Sequence, residues 1–131
     1  MRPQNGEFLS TERCSGREFK ESEGDFIKWN NNDDYVLEEA GKVDPYPQAL
    51  SHFSYVESRH AYLLTDVQGW QLDRCHYILT DPALHTNNKK GVERIPGGSD
   101  HGFKGMQNFS KKHRCNEICR LLGLHEHPLP K

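Results

Sequence analysis

Apolar side chains are scarce in this sequence. Its 131 residues include 27 Leu, Ile, Val and Phe, about a fifth of the chain and barely above the roughly 20% that accompanies disorder. A mean hydropathy of −0.91 points the same way. The length allows one domain and hardly two. No apolar run approaches the roughly 18 residues of a membrane span, so a span is excluded and no membrane partner is expected. No apolar stretch follows Met1-Arg2-Pro3, so a secretory signal is not expected either. The four cysteines then predict reduced thiols or metal ligands in a cytoplasmic protein, not a disulfide framework.

A concentrated basic stripe is also missing. Net charge is −2, split into −5 over residues 1–44 and +3 over residues 45–131, which argues against a nucleic-acid partner. The short cluster Lys111-Lys112-His113-Arg114 reads as a solvated helix end. There is no G-x-x-x-x-G-K-S/T loop, no strand–G-x-G-x-x-G–helix unit and no internal repeat. What the chain does have is eight histidines, all between His52 and His127. A polar chain rich in metal-ligand residues can be held together partly by a metal.

Along the chain, residues 1–24 read as a poorly ordered leader. Phe26-Ile27-Lys28-Trp29 predicts a short strand, ended by the turn-prone run Asn30 to Asp34. Gln48–His52 predicts a short helix running into a strand at Phe53–Val56, which would pair antiparallel with the apolar run Ala61–Val67. His76–Leu79 is a further strand, and residues 85–102 read as a loop. Phe103, Met106 and Phe109 recur as one face of a helix does. A second helix is expected from an Asn116 N-cap, with Ile118, Leu121 and Leu122 facing inward and Gly123 closing it.

Two clusters carry chemistry. In His113-x-Cys115-x-x-x-Cys119 a helical turn brings Cys115 and Cys119 to one face, and His113 ends the preceding helix. A soft nitrogen and sulfur set in a closed corner suits structural Zn²⁺ with four ligands. Spacing leaves the fourth ligand open among His52, Cys75, His76 and His125. The second cluster is Thr65-Asp66-Val67-Gln68-Gly69, at the end of an apolar strand, with Thr80-Asp81-Pro82 at the end of another. Alternation points Asp66 and Gln68 to one side. A carboxylate near an attacking hydroxyl, with acid and amide oxygens holding Mg²⁺ on phosphates, is what phosphoryl transfer requires.

The ordered set F-I-K-W-N-N-N, Gln48 to Tyr55, Asp66-Val67-Gln68-Gly69, Thr80-Asp81-Pro82 and His113-x-Cys115-Asn116-x-x-Cys119 resembles the alpha-kinases, atypical protein serine/threonine kinases. The resemblance runs from about Gly24 to Leu124. It implies an α+β C-terminal lobe of a kinase-like fold over residues 25–124, with a short antiparallel sheet, C-terminal helices and a structural zinc site. A tail would follow at 125–131. It further implies ATP and Mg²⁺ as cofactors and a protein substrate as partner, with Asp66 as catalytic acid and Gln68 and Asp81 at the metal and phosphates. His52 becomes the remaining zinc ligand beside His113, Cys115 and Cys119.

Four departures from the family pattern stand out. The stretch from Gln68 to Asp81 is longer than the family pattern. Asp34 replaces a frequent turn glycine. In the glycine-rich segment Gly97-Gly98-Ser99-Asp100-His101-Gly102, which corresponds to the family's substrate loop, Asp100 and His101 replace common Asn and Leu. The nucleotide-binding N-terminal lobe has no counterpart in residues 1–24. The expectation is therefore a partial kinase domain, weak or inactive by itself. The alternative is a non-catalytic, zinc-stabilised pseudokinase or interaction module.

Overall fold

The computed structural model describes residues 25–33, 35–37, 44–73 and 76–131. The leader, Asp34, Cys75 and the residues around Ala40 and Gly41 lie outside the described residues. The elements are β1 (Phe26–Lys28), α1 (Tyr46–Glu57), β2 (Tyr62–Thr65), β3 (Gln68–Asp73), β4 (His76–Leu79), β5 (Ala83–Thr86), α2 (Gly102–Lys112) and α3 (Glu117–Leu121). Single 3₁₀ turns at Asn88–Lys90 and Leu124–Glu126 complete them. The strands form two antiparallel sheets, β1-β3-β4 and β2-β5. This is an α+β arrangement, as the sequence predicts.

Two short connections lead directly from a strand of one sheet to a strand of the other, and they place the candidate site. The chain leaves β2 and enters β3 through Asp66-Val67, and leaves β4 and enters β5 through Thr80-Asp81-Pro82. Asp66 and Asp81 both take left-handed backbone conformations, with φ of 60° and 50°. Asp tolerates that region better than most residues because its short polar side chain can bond locally.

Phe53–Val56 is not a strand. It continues α1, whose buried residues Gln48, Ala49, Ser51, His52 and Tyr55 follow a helical spacing, while Phe53 is exposed. A proline in the first turn starts this helix where its missing N–H costs nothing. The β-leaning Phe-Ser-Tyr-Val composition is overridden because one helical face packs on the core. The predicted pairing of 53–56 with 61–67 therefore fails as well: β2 pairs with β5, Leu63 opposite His85 and Thr65 opposite Ala83. Neither β5 nor β3 carries a strand signal in the sequence.

The core has two parts. Tyr55, Leu63, Met106, Phe109 and Leu129 join α1, β2, α2 and the C-terminal tail. Ala49, Ile118, Cys119 and Leu124 join α1 to α3 and the turn that follows it. Leu121 and Leu122 do not face inward as expected but are 69% and 48% exposed. With only five residues in α3, its buried side is filled by Ile118 and Cys119, and the chain turns at Gly123 (φ 75°) to insert Leu124 instead.

Candidate active site and metal centre

The Asp66 crossing is anchored from behind by a buried polar network. Asn30 Oδ1 accepts the Val67 N–H at 3.1 Å, while its amide donates to Gln48 Oε1 at 2.9 Å and Ser51 Oγ at 3.1 Å. Gln48 in turn donates to the Trp29 carbonyl at 2.7 Å, and Trp29 N–H donates to Val67 O at 2.9 Å. Every member is satisfied, so the end of β1, the face of α1 and the crossing hold one geometry. Asn30 is fully buried, yet among three consecutive asparagines nothing in the sequence distinguishes it.

In front of that network, Lys28 Nζ lies 3.0 Å from Asp66 Oδ1 and 3.1 Å from Gln68 Oε1. Asp66 and Gln68 thus share one side, as alternation predicts, although Asp66 itself breaks the strand. The register sets Lys28 directly opposite Gln68. Its cationic head neutralises the Asp66 carboxylate beside an amide oxygen. Nothing in the sequence singles out Lys28, because a strand lysine at an outward position is ordinary; only the β1–β3 pairing brings it to the acid. Thr80 N–H donates to Gln68 O at 3.1 Å, which holds the Asp81 crossing against the start of β3. Asp81 is exposed. The register Gly69↔Leu79 is possible only for glycine, because a Cβ there would stand 1.9 Å from the Ile78 carbonyl oxygen.

The glycine-rich segment is tied down by Asp100, another residue whose part the sequence did not reveal. Its carboxylate accepts the Thr86 N–H (2.9 Å), Thr86 Oγ–H (2.7 Å), Ile95 N–H (2.8 Å) and Gly102 N–H (2.8 Å). Burial alone would push this carboxyl up, but the four donors outweigh it and bring the pKa to about 2. Gly97 and Gly98 are exposed, at φ of 116° and 90°. Gly102 is buried at the start of α2, where a Cβ would meet Asn88 Oδ1 at 2.7 Å.

The histidines and cysteines converge elsewhere. His52 on α1, His113 at the end of α2, Cys115 and Cys119 at the start of α3 bring one ligand atom each within 4.8 Å of one another. Cys115 Sγ lies 3.6 Å from His52 Nδ1, and Cys119 Sγ 3.7 Å from His113 Nε2. Ligands at about 2.0 Å (N) and 2.3 Å (S) from a tetrahedral metal stand about 3.5 Å apart. The quartet can therefore hold such an ion with little movement. The Asn116 side chain caps α3 by accepting from Ile118 and Cys119 N–H, which fixes the two cysteines.

His52 Nε2 donates to the His127 carbonyl at 2.9 Å, leaving Nδ1 as the metal-facing nitrogen. Burial lowers His113 to about 4, with His52 adding to the effect, and burial raises the Cys119 thiol to about 11. Without a metal, then, His113 is neutral and Cys119 protonated. Of the other ligands left open by spacing, Cys75 lies outside the described residues. His76 Nδ1 faces the Asp73 carboxylate at 2.7 Å, and His125 is exposed.

Comparisons with known proteins place this chain in a family. Residues 9–119 match the alpha-kinase family. Myosin heavy chain kinase C of Dictyostelium discoideum is 38% identical over 111 residues, which are 85% of this chain and 12% of that protein. Eukaryotic elongation factor 2 kinase of Mus musculus is 36% identical over 102 residues, 78% of this chain and 13% of that one. Among solved structures, the apoenzyme alpha-kinase domain of myosin-II heavy chain kinase A aligns with a TM-score of 0.61 and 35% identity, over 78% of this chain and 36% of that one. The inactive alpha-kinase domain of myosin heavy chain kinase A in complex with ATP aligns with a TM-score of 0.60 and 34% identity, over 77% of this chain and 35% of that one. The chain thus spans 12–13% of these two curated relatives and about a third of the solved kinase domains. On this evidence the chain belongs to the alpha-kinase family.

Proposed function

We propose that this chain forms the C-terminal lobe of an alpha-type protein kinase, which transfers the γ-phosphoryl group of ATP to a serine or threonine of a protein. The observation that carries the reading is the Lys28–Asp66–Gln68 contact at the β2–β3 crossing, with Thr80 tying the Asp81 crossing to Gln68. In this reading Asp66 orients the substrate hydroxyl and accepts its proton. Gln68 and Asp81 offer oxygen ligands to Mg²⁺, which when bound neutralises charge on the phosphates. Lys28 pairs with Asp66 and directs it toward the same face. Gly97, Gly98 and Gly102 belong to the segment over which the substrate would lie.

His52, His113, Cys115 and Cys119 would hold a structural Zn²⁺, supported by the donor set and by spacings near a tetrahedral edge. That ion would link α1 to α2 and α3, which the thin core joins only in part. The residues that cradle ATP would come largely from a nucleotide-binding lobe, so the 131-residue chain by itself is expected to phosphorylate protein poorly. Phosphoryl transfer depends almost wholly on positioning and charge neutralisation.

The test is a titration with Mg²⁺-ATP. Saturable binding by the chain that is lost in Gln68→Ala is expected. Binding unchanged by that substitution, or absent altogether, would instead favour a non-catalytic metal-stabilised module. Robust protein phosphorylation by the chain alone, abolished by Asp66→Ala, would support the assignment of Asp66 and overturn the expectation of low activity.

A further inference from the structure

The turn that ends α1 carries cationic side chains where glycine is the usual residue. Arg59 N–H donates to Val56 O at 3.0 Å and His60 N–H to Tyr55 O at 2.8 Å, the paired bonds of a Schellman ending. Arg59 and His60 take φ of 57° and 71°. Left-handed backbone at a residue with a side chain is disfavoured and persists only where surrounding contacts hold it. They do so here. Asn87 Nδ2 donates to the His60 carbonyl at 2.8 Å, Asn87 N–H to Ala61 O at 2.9 Å, and Lys90 Nζ to the Arg59 carbonyl at 3.0 Å. The His60 ring lies flat on Tyr55, with centroids 4.4 Å apart and planes at 4°.

These bonds bring the turn at residues 58–61 beside the 3₁₀ turn Asn88–Lys90, and both present positive charge. Arg59, Lys89 and Lys90 are exposed. Lys89 Nζ is held 4.6 Å from the centre of the Phe103 ring. Among the described residues none of the three has a carboxylate partner, Glu57 and Glu93 nearby in sequence included. Lys28, by contrast, is matched by Asp66. Burial first, then the charges of Lys90 and His127, lower the His60 pKa. That ring is therefore largely neutral at pH 7 and offers a hydrogen bond rather than a charge.

We infer that the surface formed by Arg59, Lys89 and Lys90, with His60 beside them, docks an acidic segment of a protein partner. Unpaired cations on turns that are already fixed lose little freedom on pairing, and an arginine can meet a carboxylate or phosphate through two bonds. Three closely set cations suit a short run of Asp, Glu or phosphorylated residues, whose shared chemistry is a cluster of anionic oxygens. A nucleic acid would need a longer basic stripe, and the −5 charge over residues 1–44 would repel it. The surface lies at the Tyr62–Thr86 end of the β2–β5 pair, whereas Asp66 follows the Thr65–Ala83 end. An occupant there sits apart from the residues proposed for phosphoryl transfer, and its binding does not require them.

The experiment titrates the 131-residue chain into fluorescein-labelled hexaglutamate, or into a labelled peptide with three phosphoserines, and reads fluorescence anisotropy. Salt is set at about 0.1 M, where the Debye length is about 10 Å. The expected result is saturable binding of at least one peptide, weakened about fivefold or more in Arg59→Glu/Lys90→Glu. The control Lys111→Glu/Lys112→Glu changes net charge equally at the far end of α2, about 12 Å along the helix from Phe103. It should weaken the same probe less than about twofold. Tighter binding of hexaglutamate assigns carboxylates as the preferred anions; tighter binding of the phosphoserine peptide assigns phosphates.

Lys90 also serves the Arg59 carbonyl, so a second variant leaves that contact in place. Arg59→Gln/Lys89→Gln should weaken the bound probe about twofold or more. Absence of saturable binding by both peptides overturns the docking surface. Equal losses in the two charge-reversal variants, or unchanged binding in Arg59→Gln/Lys89→Gln, overturn it as well. A single-stranded oligonucleotide with six phosphates that binds more tightly than either peptide would replace the protein partner with a nucleic acid and reject the assignment.

Discussion

Asp100 illustrates how a single side chain ties a loop to the scaffold of the site. Four donors from β5, the loop and the start of α2 hold its carboxylate ionised, with a pKa of about 2 against 3.8 for an ordinary one. The folded-state pKa is depressed, so the stability it contributes is present above about pH 4 and is lost as pH falls toward 2. Chemical denaturation across pH 2–6 should show this loss in the unaltered chain. Asp100→Asn should lower stability at neutral pH, having one acceptor oxygen where the carboxylate has two, and should flatten the acid limb. An unchanged acid limb in the variant would show that other groups govern it. The sequence marks Asp100 as a departure from a common Asn, but its four partners come from three separate segments and are invisible until the chain is folded.

At the scale of elements, glycines decide which strands and helices can approach. Gly105 on α2 lies against the ring of buried His85 on β5, where a Cβ would come within 2.5 Å of ring atoms. Gly105→Ala is therefore expected to cost about 1–3 kcal/mol by overpacking, read as a lowered Tm. Gly69→Ala should cost more and disturb the β3–β4 pairing, because the obstruction is backbone and φ is +147°. A Tm within a degree of the parent in both variants would mean that these approaches are looser than described.

The elements with a strong local signal were legible in sequence. The Phe103/Met106/Phe109 stripe is the inner face of α2, and Asn116 caps α3. The segment Phe53–Val56 suggests a strand from sequence because its β-leaning residues follow a short helical pattern, yet it is helical. Their fate depends on whether the buried side of α1 continues, which is a property of its packing partners.

For the molecule as a whole, the histidine and cysteine quartet joins elements that are distant in sequence. Cys119→Ser is expected to abolish metal retention, seen by native mass spectrometry as loss of one metal per chain, and to unfold the helical corner. A chelator should lower the Tm of the unaltered chain. Because burial holds the Cys119 thiol protonated up to about pH 11 in the absence of metal, binding must release its proton. Apparent metal affinity should consequently rise with pH. A chain that is stable, metal-free and indifferent to chelator would end the metal proposal. No helix among the described residues is long and apolar enough to cross a membrane.

The sparse apolar content that first stood out has a structural counterpart in two small core clusters, with satisfied polar networks at Asn30 and Asp100 between elements. Sequence alone determined what is local or carried by ordered motifs: the helical C-terminal third, the His113/Cys115/Cys119 spacing, the Asp66/Gln68 pair and the family resemblance. Helical period and strand alternation are short-range, and neighbours reveal them. Tertiary structure alone decided the β2–β5 pairing, the recruitment of Lys28 to Asp66, the hub at Asp100 and the approach of Lys90 to Arg59. Each of these depends on strand register or on segments tens of residues apart, and register is set only when whole faces choose their burial partners.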